Sequence, residues 1–231
     1  MSDALLYTPP GCVLYLDLRK PVGDKLLDYS GHGNIGTIYG ARLEYRHPLW
    51  GLSFDGVDDY VEVPDSDVLN SDTFTVAALF HPVLPHGSNH SNAVINKALY
   101  RRPPDGKGWY LRFYGRNSLK LQFGVYYDDA EVRAEHYVDT SWHFAVAVYD
   151  GAYQTLYVDG VVVARVKGGT TYQKPVGVNL RLGRAGALHG YIALAQVYNR
   201  VLTADEIKML YEDVKLRLLR RMQPLDTKMI R

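Results

Sequence analysis

The chain of 231 residues balances 26 lysines and arginines against 25 aspartates and glutamates, for a net charge of +1. That balance argues against nucleic acid as the main partner, because such a partner calls for a clustered basic excess. The single cysteine, Cys12, excludes an intramolecular disulfide and fits synthesis in a reducing compartment. The opening MSDALLYTPPG has neither a basic n-region nor an apolar run, so the expectation is a protein made in the cytoplasm without a signal peptide. Nothing approaches the ~18 apolar residues of a membrane span, and a chain this long folds readily as one all-β domain.

Two-residue periodicity dominates residues 11–200 and predicts strands at 11–19, 35–40, 50–55 and 60–63. Between the last two lies FDGVDDY, which brings Asp55, Asp58 and Asp59 close to Glu62 and Asp65. Aspartates suit a tight turn at Gly56-Val57, where their side chains accept hydrogen bonds from nearby backbone N–H groups. A calcium site would need six to eight converging oxygens, and adjacent strand residues such as Asp58 and Asp59 point to opposite faces. The stretch therefore reads as a hairpin turn. TFTVAALFHP, 73–82, is apolar on both faces and stops at Pro82; a strand at 93–97 sits between long loops at 84–92 and 99–108.

GWYLRFYG and SLKLQFGVYYD alternate most clearly, joined by the short hairpin GRNS at 115–118. Trp109, Leu111, Phe113, Leu121, Phe123, Val125 and Tyr127 face a core, which puts Tyr110, Arg112, Tyr114, Lys120, Gln122 and Tyr126 on the opposite face. These six combine flat rings with hydrogen-bonding groups. Such a set suits a glycan; the plainer reading is a solvated sheet face or a protein interface, where Tyr and Arg are equally enriched, and the interface is favoured over the glycan. Farther on, 142–149, 153–158 and 161–166 are strands joined at Asp150-Gly151 and Asp159-Gly160, both expected as type I′ turns. The first of them is apolar on both faces and is placed centrally. With 178–183 and 189–198, the strands imply a two-sheet sandwich.

One helix is predicted after Thr203, which forms a capping box with Glu206. Ile207, Leu210, Tyr211, Val214 and Leu218 make its apolar stripe. From residue 213 to its stop at Pro224 the chain turns basic and leucine-rich. Leu216, Arg217, Leu219, Arg220 and Met222 are candidate partner contacts in this extension, 213–231, which follows a domain of residues 1–212.

Five segments in order resemble laminin-G-like domains of the concanavalin A-like lectin/glucanase superfamily, over roughly residues 11–212. They are LDYSGHGNIGTIYGA, LSFDGVDDYVEVPDSDVL, FTVAALFHP, TSWHFAVAVYDGAYQTLYVDGVVVA and GYIALAQVYNRVLTADEIKMLY. The resemblance implies an all-β jelly-roll sandwich of two antiparallel sheets, here with a C-terminal α-helix. Members of this superfamily bind carbohydrates, proteins or lipids, often with calcium, and some relatives are glycosidases. The glucanases carry E-x-D-x-E on one strand. This sequence has no such triplet, and its nearest run, YVEVPDSD, is broken by Pro64, so no catalytic residue is expected.

The family's D-x-S-G-x-G-N loop is present, with Asp28 and Asn34 as candidate calcium ligands. The strand that supplies a further acid reads GYIALAQV, with Ala193 and Leu194 where carboxylates are expected. No cofactor is required, and Ca2+ is an option at Asp28 and Asn34. The expected role is a non-catalytic, lectin-like interaction domain acting as a structural subunit of a larger assembly, such as a virion or particle surface. Its partners would be proteins in a homo- or hetero-oligomer, with glycans as further ligands. A carbohydrate-binding module, with or without calcium, is the alternative, and a glycoside hydrolase ranks third.

Overall fold

A computed structural model describes residues 7–84, 92–101, 105–115, 118–183 and 188–222. In chain order the strands are β1 (Cys12–Asp17), β2 (Lys25–Leu26), β3 (Gly36–Tyr39), β4 (Arg42–Arg46), β5 (Leu49–Asp55) and β6 (Tyr60–Val63). A single 3-10 turn, Asp67–Leu69, precedes β7 (Phe74–Pro82), β8 (Asn92–Leu99), β9 (Lys107–Phe113), β10 (Lys120–Tyr126) and β11 (Glu131–Tyr137). Then come β12 (His143–Tyr149), β13 (Tyr153–Val158), β14 (Val161–Lys167), β15 (Leu180–Leu182), β16 (His189–Tyr198) and the helix α1 (Ala204–Met222).

They form two antiparallel sheets. The first runs β14-β13-β12-β7-β16-β5-β4 and the second β11-β10-β9-β8-β15-β6-β3-β2. In the first sheet β16 serves two neighbours in succession. A bulge between Ile192 and Leu194 divides it, so that β5 pairs with residues 189–192 and β1 with residues 194–198. The second sheet carries its alternation inward: Leu111, Phe113, Leu121, Phe123 and Val125 meet Phe54, Phe74, Phe80 and Leu156 in the core between the sheets. At ~25 cal/mol per Å2 of apolar surface this burial is the main stabilising term.

The predicted helix forms as expected. Glu206 N donates to Thr203 Oγ1 at 3.2 Å and Thr203 N to Glu206 Oε2 at 2.9 Å, closing the capping box. Ile207, Leu210 and Val214 are buried on the outer face of the first sheet against Tyr15, Phe144, Val146 and Tyr198. This second core explains why β12, pairing with β7 and β13, is apolar on both faces. Cys12 lies buried beside it, and burial pushes its thiol up to about 12, so its environment is that of a packed, unreactive side chain. Among the described residues no helix is long and apolar enough to cross a membrane.

The two Asp-Gly turns differ from each other. Asp159 and Gly160 both have positive φ, 51° and 80°, as a type I′ turn demands. At the other, only Gly151 does, at 93°. Its connection runs over 150–152, and Asp150 Oδ1 closes it by accepting Ala152 N at 2.9 Å and Tyr153 N at 2.6 Å. The strands β2, β4 and β11 were not predicted. The first has two residues, and in β4 all five residues are exposed, so neither shows a buried period.

One buried cation ties three segments together. Lys97, fully buried on β8, donates to Asp65 Oδ1 at 2.5 Å, Val178 O at 2.7 Å and Pro175 O at 3.0 Å. All three ammonium protons are thereby satisfied. Asp65 in turn accepts Gly177 N at 2.6 Å. Lys97→Met is expected to cost about 3 kcal/mol in chemical denaturation, the lower end for removing one partner of a buried pair, because Asp65 keeps 21% side-chain exposure. A loss below about 1 kcal/mol would show that the clamp is dispensable.

His143 offers a pH test. Its Nδ1 lies 2.8 Å from Asp159 Oδ2 and its Nε2 3.1 Å from Asp139 Oδ1. Burial alone would lower its pKa, but the two carboxylates overcome burial and hold it above the ordinary value. A raised folded pKa stabilises fully below about pH 6.5 and loses that contribution as pH rises through the folded value. The stability difference between wild type and His143→Gln should therefore shrink in thermal melts from pH 6 upward through neutrality. A difference independent of pH would rule out the charged clamp.

Candidate functional site

The outer face of the second sheet carries a polar row across its strands, interrupted at Gly124. In register lie Arg133, Gly124, Tyr110, Asn96, Arg181, Glu62, Thr37 and Lys25. Alternation places such residues away from the core because each neighbour in the strand points inward. Arg181 forks onto Glu62, with Nε and Nη2 at 2.7 and 2.6 Å from Oε2. Lys25 Nζ donates to Thr37 Oγ1 at 2.9 Å.

The six residues expected on this face do converge there, but in two layers. Tyr110, Arg112, Gln122 and Tyr126 are buried, at 0, 6, 2 and 3% exposure. They are covered by the connection from β8 to β9, where Tyr100 packs against Tyr110 and Tyr126 and a Cβ on Gly106 would meet the Tyr126 ring at 2.5 Å. Only Tyr114, at 47%, is exposed, while Lys120 is half-buried. A solvated face was the simplest expectation from alternation, and the covering connection is what changes it.

Arg112 organises the buried layer. Its guanidinium carbon lies 3.9 Å from the Tyr110 ring centroid, 5.3 Å from Tyr114 and 5.7 Å from Tyr100, within the range of cation–π attraction. Nε donates to Gln122 Oε1 at 3.1 Å and Nη2 to Glu131 Oε1 at 3.3 Å. The Tyr110 hydroxyl donates to the same Glu131 oxygen. Burial raises the pKa of Tyr110 and Tyr126, so both hydroxyls stay protonated and Tyr110 keeps the proton that it donates to Glu131. Gly124 makes the arrangement possible: a Cβ there would fall 2.0 Å from Tyr110 Cζ, so the ring lies flat across bare backbone.

The exposed layer stands on this base. Gln122 Nε2 donates to Glu135 Oε1 at 2.5 Å, and Lys120 Nζ sits 3.5 Å from Glu135 Oε2. Lys120 Nζ also lies 5.4 Å from the ring centroid of Tyr137, which is 66% exposed. Tyr137 and Glu135 were missed in the sequence because β11 has little apolar signal; the inward Val132, Ala134 and His136 are its only periodic mark.

The acidic turn is mostly self-satisfied. Asp55 Oδ1 accepts Val57 N at 2.8 Å and Asp59 Oδ2 accepts Asp55 N at 3.0 Å. Asp58 and Asp59 lie outside the strands, so the opposite-faces argument does not apply. Oxygens of Asp55, Asp58 and Asp59 come within 4.8 Å of one another. Partial burial, with the Asp55 and Asp58 charges close by, raises the Asp59 pKa. Two of the three carboxylates cap backbone N–H groups as expected, but the hairpin expected here does not form, because β5 and β6 lie in different sheets.

Asp28 and Asn34 also have structural work. Asp28 accepts Tyr15 N, Ser30 N and Asn34 N, each at 2.9 Å. Asn34 accepts Ser66 Oγ at 2.7 Å and donates to Val13 O at 2.8 Å. Both side chains are committed to these structural partners. Of the tail residues, Leu216 is 50% exposed and Arg217 Nε lies 3.6 Å from Asp213 Oδ1. Leu219, Arg220 and Met222 belong to α1, but their side chains lie outside the described residues.

Comparison with known proteins places this architecture. The jelly-roll topology is similar to that of the binding domain of botulinum neurotoxin DC in complex with SialylT, with a TM-score of 0.69 at 13% identity over 88% of this chain and 51% of that one. The binding domain of Paraclostridial Mosquitocidal Protein 1 gives 0.72 at 13% identity, over 88% and 52%. A third is a botulinum neurotoxin type C structure, described as showing cell entry dependent on two ganglioside molecules, with 0.66 at 17% identity over 88% and 51%. At such identities the likeness shows the fold alone, and the chain spans about half the length of these solved chains. No curated protein sequence matches it. The family model described as Concanavalin A-like lectin/glucanases superfamily matches residues 55–208, more than half of the chain, and the protein belongs to that family.

Proposed function

We propose that the protein is a non-catalytic carbohydrate-recognition domain. The observation that carries this reading is the layered site itself: a buried Tyr110–Arg112–Glu131 base beneath the exposed Tyr114 and Tyr137 rings, with Lys120 and Glu135 between strands at the rim. A pyranose ring stacks its C–H face on an aromatic platform while its hydroxyls need fixed donors and acceptors, and both are in place. The rings are fixed from below, so little order has to be imposed on binding. That two of the similar structures are described with sialylated or ganglioside ligands agrees with a glycan.

Hydrolysis has no support at the rim. Glu131 and Glu135 are four residues apart on one strand, about 13 Å along the backbone at 3.3 Å per residue, and each carboxylate is already engaged, Glu131 by Arg112 and Tyr110 and Glu135 by Gln122. The role of structural subunit in an assembly, a particle surface included, remains the second reading. It is favoured by Met209 and Leu216, 51 and 50% exposed and seven residues apart on α1, a spacing that puts them on one stripe of the helix.

On a glycan array the full chain should bind a defined subset of sugars. Tyr114→Ala should weaken the best of them by about tenfold, or about 1.4 kcal/mol, with native circular dichroism. No glycan bound, or full binding by the variant, would contradict the reading.

A further inference from the structure

The flank of the sandwich holds a second aromatic feature that is independent of the rim. Strand β2 has two residues and ends the second sheet, too short to cover the inward side of the hairpin β4–β5. Leu43, Tyr45 and Trp50, on that side, are left 40, 51 and 44% exposed. Tyr45 and Trp50 are cross-strand partners, with ring centroids 5.6 Å apart and planes tilted by 55°. They pack on each other and present one aromatic platform to solvent. The Tyr45 hydroxyl lies 3.2 Å from His47 Nδ1, which fixes a polar group at its edge. Two residues along β4 from Tyr45, Leu43 opens into a groove of about 440 Å3, lined also by Ile38, Ala41 and Leu52, with Asp24 and Arg42 at its edge. That volume lies in the ~300–1,000 Å3 range of ligand sites.

We propose that this aromatic platform and groove form a subsite for a neutral oligosaccharide, with one pyranose stacked on the exposed Trp50 and Tyr45 rings and the next unit running into the groove. The proposal extends the carbohydrate-recognition reading to a separate surface. The exposed rings offer a platform for one C–H face of a sugar ring, and the groove edge supplies an acceptor in Asp24. Charge is balanced there, since Lys25 Nζ stands 3.4 Å from Asp24 Oδ2, so nothing selects a strongly charged ligand. An added peptide strand is disfavoured, because the outward face of β4 alternates Arg42, Glu44 and Arg46, the kind of charged edge that discourages strand pairing. A second copy paired antiparallel about Glu44 would set Glu44 against itself and Arg42 against Arg46.

The test is titration of the full chain with lactose, cellotriose and maltotriose at millimolar concentration, read by tryptophan fluorescence and saturation-transfer NMR. Trp109 is 1% exposed, and the Trp50→Ala variant separates the Trp50 signal from that of Trp142, which donates to Arg46 O on the same hairpin. At least one sugar should bind, Trp50→Ala should weaken it by about tenfold and Trp50→Phe by less, both with native circular dichroism. Tyr114→Ala reports on the rim separately. If Trp50→Ala binds as wild type does, or none of the three sugars binds, the flank subsite is overturned. A flank signal lost in Trp50→Ala and kept in Tyr114→Ala upholds it even should the rim reading fail. Binding there of an alternating leucine–glutamate peptide that no sugar displaces would also overturn it.

Discussion

A guanidinium buried to 6% exposure must have its charge answered on every side, and the answer given to Arg112 determines the character of the whole outer face. Tyr110 lies beneath it, Gln122 and Glu131 accept its protons, and Tyr114 closes the top. Each partner comes from a different strand or strand end, so β9, β10 and β11 must hold their registers for the charge to be met. Leaving such a group unpaired costs several kcal/mol. The network is therefore a constraint on register as well as a platform, and Gly124 is its enabling residue.

The two sheets close their outer faces by different means. Helix α1 seals the first with Ile207, Leu210 and Val214. The second is sealed in part by Tyr100 and the chain around Gly106. What remains accessible is set by where those covers end: the rim at Tyr114 and Tyr137, and the flank at Tyr45 and Trp50. Both lie where an aromatic side chain is supported on one side only, which is the geometry a stacked ligand completes. The acidic turn, although more suggestive as a string of letters, serves the backbone of the connection that carries the chain from β5 in the first sheet to β6 in the second.

Local patterns carried much of the fold into view. The Thr203–Glu206 capping box, the Asp159-Gly160 turn and the strands β6, β13 and β16 depend on neighbours in sequence, and each was legible to within a residue. Strands β4 and β11 were not, because exposed edges need no buried period. The six face residues were found by alternation, yet their burial was not, because Tyr100 and Gly106 reach them from a connection that no period describes. The proximity of Asp55, Asp58 and Asp59 was hidden for a related reason: strand geometry was applied to residues that lie in a bend.

The most direct measurement is a crystal structure of the full chain soaked with the glycan it binds best. The expected result is a pyranose ring against Tyr114 or Tyr137, with hydroxyls in hydrogen-bond reach of Lys120 or Glu135 and Arg112 unmoved beneath. A sugar seated instead on the acidic turn, or a rim left bare at saturating glycan, would contradict the assignment of this face.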